Sequence, residues 1–272
     1  SYSNDNGKTW NYKKYTISVS TYSDNQLYCA AGNNYIMLYI NLSYYSNVGN
    51  VFFIDKNWNI GGNIIPTIPN LGSYTYIGFK VSNCFYVNGY FVISCQGVTQ
   101  IQGDERGRMP YFVIFQEGQT SYTISRPIKP LSDIIFDTDT GVPSIYNVKY
   151  YNGKYYLCTA DYYLRKNEKI YQSNTLSDTF EEYTTFDLSA LITDFNDSPY
   201  IVASSYDDSG NFYLSYGSDT TNKSFIAKFG IQTKTVTMLY LENTNEFCYN
   251  DFLFDMFVLN EVVYISYYTS PQ

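Results

Sequence analysis

The sequence predicts an all-β chain folded as a five-bladed β-propeller. Three observations carry this: a composition that favours strands over helices, a hairpin signal that recurs along the chain, and two unmatched half-blades at its opposite ends. The 272 residues include 33 Tyr, 18 Phe and 2 Trp. Flat and β-branched side chains pack well on a pleated surface. No long stretch carries apolar residues at i, i+3, i+4 and i+7, so helices are expected to be rare. A chain of this length can bury a substantial core and form one all-β domain.

The recurring hairpin is clearest at Ile145–Tyr151, Asn152-Gly153 and Lys154–Cys158. Asn-Gly between two strand-like runs marks a tight turn, because both residues accept positive φ. Phe85–Val87, Asn88-Gly89 and Tyr90–Ile93 form a second copy. If Val87 pairs with Tyr90, Cys84 lies opposite Ile93 rather than Cys95, which argues against a hairpin disulfide. Further copies turn through Asp207–Gly210, through Asn260-Glu261 and, more weakly, near Gly32–Asn34. The turns recur every 50 to 65 residues or about that, the length of a four-stranded propeller blade. Each hairpin would supply strands A and B of a blade.

A second pair, C and D, should follow each hairpin. The runs are Val51–Ile54 with Gly62–Ile65, Tyr111–Phe115 with Ser121–Ile124, Lys169–Ser173 with Glu181–Phe186, and Ser224–Phe229 with Thr235–Tyr240. The fifth hairpin reaches the C-terminus without such a pair. Ser1–Ser3 and Tyr12–Ile17, at the other end, have the C–turn–D form. Closing the last blade with strands from both termini would remove two open edges. The expected blades are residues 22–66, 72–130, 143–188, 199–241, and 250–272 with 1–18, all in one domain.

Charge and cysteine usage narrow the partners. The net charge of −8 argues against nucleic acid, whose phosphates are bound by Lys and Arg, and against an anionic membrane surface. No apolar run approaches the ~20 residues that span a bilayer. The chain begins at Ser1 without a visible signal peptide, so it is expected to be a processed product or an excised domain. Cys29, Cys84, Cys95, Cys158 and Cys248 are odd in number and lack metal-ligand spacing, so they are expected to be small buried hydrophobes. No cofactor and no metal site is expected. Asp137-Thr138-Asp139-Thr140-Gly141 starts like a calcium loop but lacks the third oxygen ligand and distal Glu, so it reads as a plain turn.

The turn between the N-terminal strands, Ser3-Asn4-Asp5-Asn6-Gly7-Lys8-Thr9-Trp10, resembles the Asp-box, the bacterial neuraminidase repeat written S-x-D-x-G-x-T-W. The resemblance covers eight residues, and every specified position matches. It implies a propeller whose C–D turn is held by Asp5 accepting backbone N–H groups, with Gly7 at positive φ and Trp10 packed between blades. A degenerate copy, Ser173–Phe180, keeps Ser173, Asn174, Thr179 and Phe180 in the places of Ser3, Asn4, Thr9 and Trp10. The motif's role in that family is structural, on the face away from the ligand.

The D–A and B–C loops share the opposite face, where propellers bind small ligands around the central channel. The loops in question are 41–50, with Tyr44 and Tyr45; 96–109, with Asp104, Glu105, Arg106 and Arg108; 160–169, with Asp161, Tyr162, Tyr163 and Arg165; and 217–223. Three of the four arginines fall in two of these loops, which belong to adjacent blades. Arg offers a planar fork to carboxylate or phosphate, and Tyr a rigid face with a polar tip. Together they could hold an anionic or neutral glycan. The alternative is local pairing of solvated loop charges.

An enzymatic reading has fewer handles. Sialidases carry a three-arginine cluster, a Tyr–Glu pair and an Arg-Ile-Pro motif on six blades; Arg126-Pro127-Ile128 inverts that order. Five-bladed glycoside hydrolases place three carboxylates around the channel, and Asp24, Asp197 and Asp251 stand at strand-A entrances, with Asp133 and Asp137 near others. The absence of His excludes Ser-His-Asp chemistry and most zinc sites. Fold and composition together resemble five-bladed receptor-binding propellers of phage tail proteins. That resemblance implies a binding module for a cell-surface glycan or cell-wall polymer, on a virion or outside the cell, with a homotrimer formed through flanking regions. An extracellular bacterial lectin or adhesin and a polysaccharide depolymerase are the alternatives.

Overall fold

The structure is a computed structural model that describes residues 9, 14–15, 26–41, 49–69, 76–100, 106–128, 144–160, 167–188, 200–217, 224–240 and 253–267. Every regular element among them is a strand. Blade one holds β1 (Gln26–Ala31), β2 (Tyr35–Asn41), β3 (Asn50–Asp55) and β4 (Ile60–Ile64). Blade two holds β5 (Tyr76–Val87), β6 (Tyr90–Gln100), β7 (Arg106–Gln116) and β8 (Tyr122–Ser125). Blade three holds β9 (Ser144–Tyr151), β10 (Lys154–Ala160), β11 (Asn167–Ser173) and β12 (Glu181–Asp187). Blade four holds β13 (Tyr200–Tyr206), β14 (Asn211–Gly217), β15 (Ser224–Gly230) and β16 (Val236–Tyr240). Blade five holds β17 (Leu253–Leu259) and β18 (Val262–Tyr267). Each sheet is an antiparallel meander in chain order, and the first strands of successive sheets touch one another. Sheets ranged side by side through their first strands are the blades of a propeller.

The hairpins form where turn chemistry dictates. Asn88 and Gly89 adopt φ of 47° and 85°, and Asn152 and Gly153 of 47° and 79°. Both turns therefore have the positive-φ pair that matches strand twist. The two-residue loop sets the register: Val87 pairs with Tyr90 and Cys84 with Ile93, leaving Cys95 opposite Val81. No disulfide joins the described cysteines. Cys84, Cys95 and Cys158 are buried, but Cys29 is exposed, which corrects the expectation for that residue. Its strand, β1, is the first of the meander, and its neighbour Leu27 is also largely exposed.

The core is divided among the blade junctions. Met37, Tyr39 and Phe53 of blade one meet Phe91, Ile93, Tyr111, Val113 and Phe115 of blade two. Val92, Phe112 and Ile114, on the other side of the same strands, meet Val148, Leu157 and Phe180 of blade three. The pattern repeats in β14, where Phe212, Leu214 and Tyr216 face blade three and Tyr213 faces blade five. Successive side chains point to opposite faces of a strand. A blade covered on both faces therefore needs unbroken apolar runs such as Tyr111–Phe115 rather than alternation. The outermost strands β4, β8 and β12 are mostly half-buried or exposed.

Glycine positions report how closely blades approach. Gly210 ends the first turn of blade four at φ +82°, and an added Cβ would lie 2.8 Å from the Tyr151 ring of blade three. Gly153 has φ +79° but open space around it. Gly153→Ala is expected to cost about 1 kcal/mol of strain, and Gly210→Ala about 2–3 kcal/mol, from strain plus overpacking. Thermal melts of the two variants check this; equal shifts would mean that Tyr151 yields freely.

The predicted closing strands, Ser1–Ser3 and Tyr12–Ile17, lie outside the described residues apart from Lys14 and Tyr15. Tyr15 donates its hydroxyl to the Trp58 carbonyl at 2.9 Å, in the β3–β4 turn of blade one. Ser3, Asp5, Gly7 and Trp10 also lie outside the described residues. The related turn at Ser173–Phe180 connects β11 and β12. There Phe180 is buried against Phe112 with ring centroids 6.2 Å apart, and its N–H donates to the Pro127 carbonyl at 2.8 Å.

Candidate functional site

The innermost strands carry uncharged polar side chains beside breaks in their ladders. In four of them the ladder skips residues: Ile77 and Ser82 in β5, Tyr146 in β9, Val202 in β13 and Phe254 in β17. A bulge sharpens twist and re-aims the side chains beside it. Directly after two of the bulges stand Asn83 and Asn147. Each turns its Oδ1 onto the next backbone N–H, that of Cys84 at 2.8 Å and of Val148 at 2.9 Å. Asn147 Nδ2 reaches Ser204 Oγ of the neighbouring blade at 3.5 Å. Sequence reasoning missed these asparagines; the only local signal was Asn inside an otherwise apolar strand, a residue type depleted there.

Buried tyrosines anchor the bases of the B–C loops. Tyr39 accepts the Gly49 N–H at 2.9 Å, and burial pushes its hydroxyl pKa well up, so it stays protonated. Tyr216, at the end of β14, donates to the buried carboxylate of Glu168 at 2.9 Å. Glu168 is the second residue of β11, so this bond ties the base of the 161–166 loop to blade four. Burial, with the Glu168 carboxylate next in weight, raises the Cys158 thiol well above its usual range and keeps it uncharged. Neither Glu168 nor Tyr216 stood out in the sequence, because they meet only when blades three and four pack.

The expected ligand-binding residues are distributed unevenly. Tyr44, Tyr45, Asp104, Tyr162, Tyr163 and Arg165 lie outside the described residues, as do the carboxylates Asp24, Asp197 and Asp251. The innermost strands next to those carboxylates begin at Gln26, Tyr200 and Leu253, two or three residues further along the chain. Arg106 and Arg108 were expected in a loop, and this is corrected. They belong to β7, where Arg106 pairs with Gln100 and Arg108 with Val98. The ladder runs on because Val98-Thr99-Gln100 continues the strand pattern and leaves 101–105 as a short connection. Counted from the first turn of its blade, β6 has 11 residues where β2, β10 and β14 have 7. At ~3.3 Å per residue the β6–β7 hairpin thus extends about 13 Å farther on the loop face. Among the described residues no group of His, Cys, Asp and Glu could hold a metal ion.

No protein-family model matches the chain, and no curated protein matches its sequence. Solved structures do resemble it. An α-L-arabinanase of Penicillium chrysogenum, solved with arabinobiose, aligns with a TM-score of 0.51 at 10% identity, covering 85% of this chain and 70% of that one. A Bacteroides ovatus protein described as xyloglucan PUL GH43B aligns at 0.48 and 12%, covering 86% of this chain; the chain spans 46% of that protein's length. A GH43_1 enzyme of Xanthomonas citri, solved with xylose, aligns at 0.46 and 9%, covering 89% and 80%. At such identities the likeness to the arabinanase is one of fold, and together with the four four-stranded meanders and the β17–β18 hairpin, joined through their innermost strands, it identifies this chain as a five-bladed β-propeller.

Proposed function

We propose that the chain is a glycan-binding propeller that takes a cell-surface saccharide or cell-wall polymer on its B–C loop face. The observation that carries this reading is the extended β6–β7 hairpin of blade two, which brings Arg106 and Arg108 to that face. Blade three adjoins it, and in the sequence Tyr162, Tyr163 and Arg165 fall between its strands β10 and β11. Guanidinium forks and tyrosine faces suit polyhydroxylated or anionic sugars. The arabinobiose held by the arabinanase of the same fold supports a saccharide partner. A virion-surface or extracellular setting, as in a phage tail receptor-binding domain, accords with the acidic, Tyr-rich composition.

A hydrolytic reading is favoured by the same arabinanase likeness, with Asp24, Asp197 and Asp251 as acid, base and pKa tuner. The two readings separate in one experiment: incubation with purified bacterial envelope polysaccharides, scored for both retention and cleavage. A binding module retains the polymer intact, and Arg165→Ala weakens it roughly tenfold to a hundredfold, the effect of a lost charge-assisted hydrogen bond. Release of short products that vanishes in Asp24→Asn, Asp197→Asn or Asp251→Asn would overturn the binding reading.

A further inference from the structure

The geometry points to a second saccharide site, on the face opposite the B–C loops, in the cleft between blades two and three. The cleft measures about 570 Å³, within the range of roughly 300–1,000 Å³ typical of small-ligand sites. Strand alternation builds one wall. Tyr90 pairs with Gln116 and Ile114 with Thr123, and all four point to the blade-three side of their sheet. The other wall is Tyr155 of β10 and Asn174, Thr175 and Ser177 of the β11–β12 turn.

These walls are held in place before any ligand arrives. Asn88 Nδ2 donates to the Tyr155 hydroxyl at 2.9 Å, so the first turn of blade two fixes a ring of blade three. Ser125 Oγ donates to the Leu176 carbonyl at 3.0 Å, and Leu176 is buried beneath the turn. Thr175 Oγ1 lies 3.0 Å from Ser177 Oγ and accepts the Asp178 N–H at 3.2 Å. Preorganisation of this kind lowers the ordering cost of binding.

The lining selects the ligand class. It holds amides, hydroxyls and tyrosines, and no Asp, Glu, Lys or Arg. A phosphate or carboxylate would leave its charge unpaired there, at a desolvation cost. A wholly apolar ligand would leave the amides and hydroxyls of the lining without partners. An uncharged oligosaccharide meets paired donors and acceptors on Gln116, Asn174 and Thr123, and tyrosine surface for its C–H faces.

The test uses the full chain and a panel of neutral tetrasaccharides (xylose, arabinose, glucose and N-acetylglucosamine series) with uronic acid counterparts, titrated calorimetrically. Gln116 and Asn174 are exposed, so Gln116→Ala and Asn174→Ala should melt like the parent. Each is expected to raise the Kd of the preferred neutral tetrasaccharide roughly five- to tenfold, while Arg165→Ala leaves that Kd unchanged. Loss of binding in Arg165→Ala with none in Asn174→Ala would assign the saccharide to the loop face and overturn the second site. So would preference for the uronic acid series, or no measurable binding to any neutral member. Because the loop-face reading is scored by Arg165→Ala on envelope polymer, either site can fail alone.

Discussion

Phe112→Ala is expected to lower the unfolding free energy by about 3–5 kcal/mol, the range for emptying a buried aromatic position. Phe112 has no exposed surface and stands at the centre of the junction between blades two and three. Its ring meets Phe85 edge-on at 6.0 Å and Phe180 at 6.2 Å, so one truncation removes aromatic contacts within its own blade and across the junction. The backbone around it cannot collapse into the space, because β7 is hydrogen-bonded on both sides, to β6 and β8. For a chain of this size, the melting midpoint should fall on the order of 10 °C. Leu259→Ala, at a position 56% exposed, provides the comparison and should cost under about 1 kcal/mol. Similar shifts in the two melts would mean that the blade junctions do not carry the stability of the ring.

Asp207→Ala should cost about 2–3 kcal/mol at neutral pH, with a pH dependence of definite sign. Asp207 closes the first turn of blade four. Its Oδ1 accepts the Asn211 N–H at 2.9 Å, and its Oδ2 accepts Asn211 Nδ2 at 2.7 Å and the Tyr213 hydroxyl at 2.8 Å. Burial alone would raise this carboxyl, but the bonds from Asn211 and Tyr213, with Lys228 nearby, outweigh it and hold the pKa below its usual value. Tyr213 shifts the other way, pushed up first by burial and then by its bond to the carboxylate. A depressed folded-state pKa contributes stability that is fully present above the unfolded value, about 3.9, and is lost as pH falls through the folded one. The gap in melting temperature between parent and variant should therefore be widest near pH 7 and narrow below about pH 4. A gap that stays constant down to pH 2.5 or so would show that the ionised form carries no advantage.

The Asp207 bonds lie within one hairpin, whereas the Phe112 contacts join segments far apart in the chain, and that is where sequence and structure part ways. The hairpins at Asn88-Gly89 and Asn152-Gly153, their register and the meander of strands were readable from the residues themselves. Positive φ at two consecutive positions is local chemistry, and a two-residue loop leaves one register for the strands it joins. Apolar runs such as Tyr111–Phe115 were likewise readable as strands; that both their faces are covered emerged only from the packing of the blades. The tertiary structure alone decided the rest. It drew Arg106 and Arg108 out of a loop and into β7, because pairing with Val98 and Gln100 satisfies backbone groups that a loop would leave to water. It bulged four innermost strands and so turned Asn83 and Asn147 onto their neighbours. It joined Glu168 to Tyr216 and set Tyr90 across a cleft from Asn174, pairs 48 and 84 residues apart. Turn type and side-chain alternation are written in adjacent residues, whereas which faces meet depends on how the blades lie around a common axis, and no short stretch of the chain encodes that.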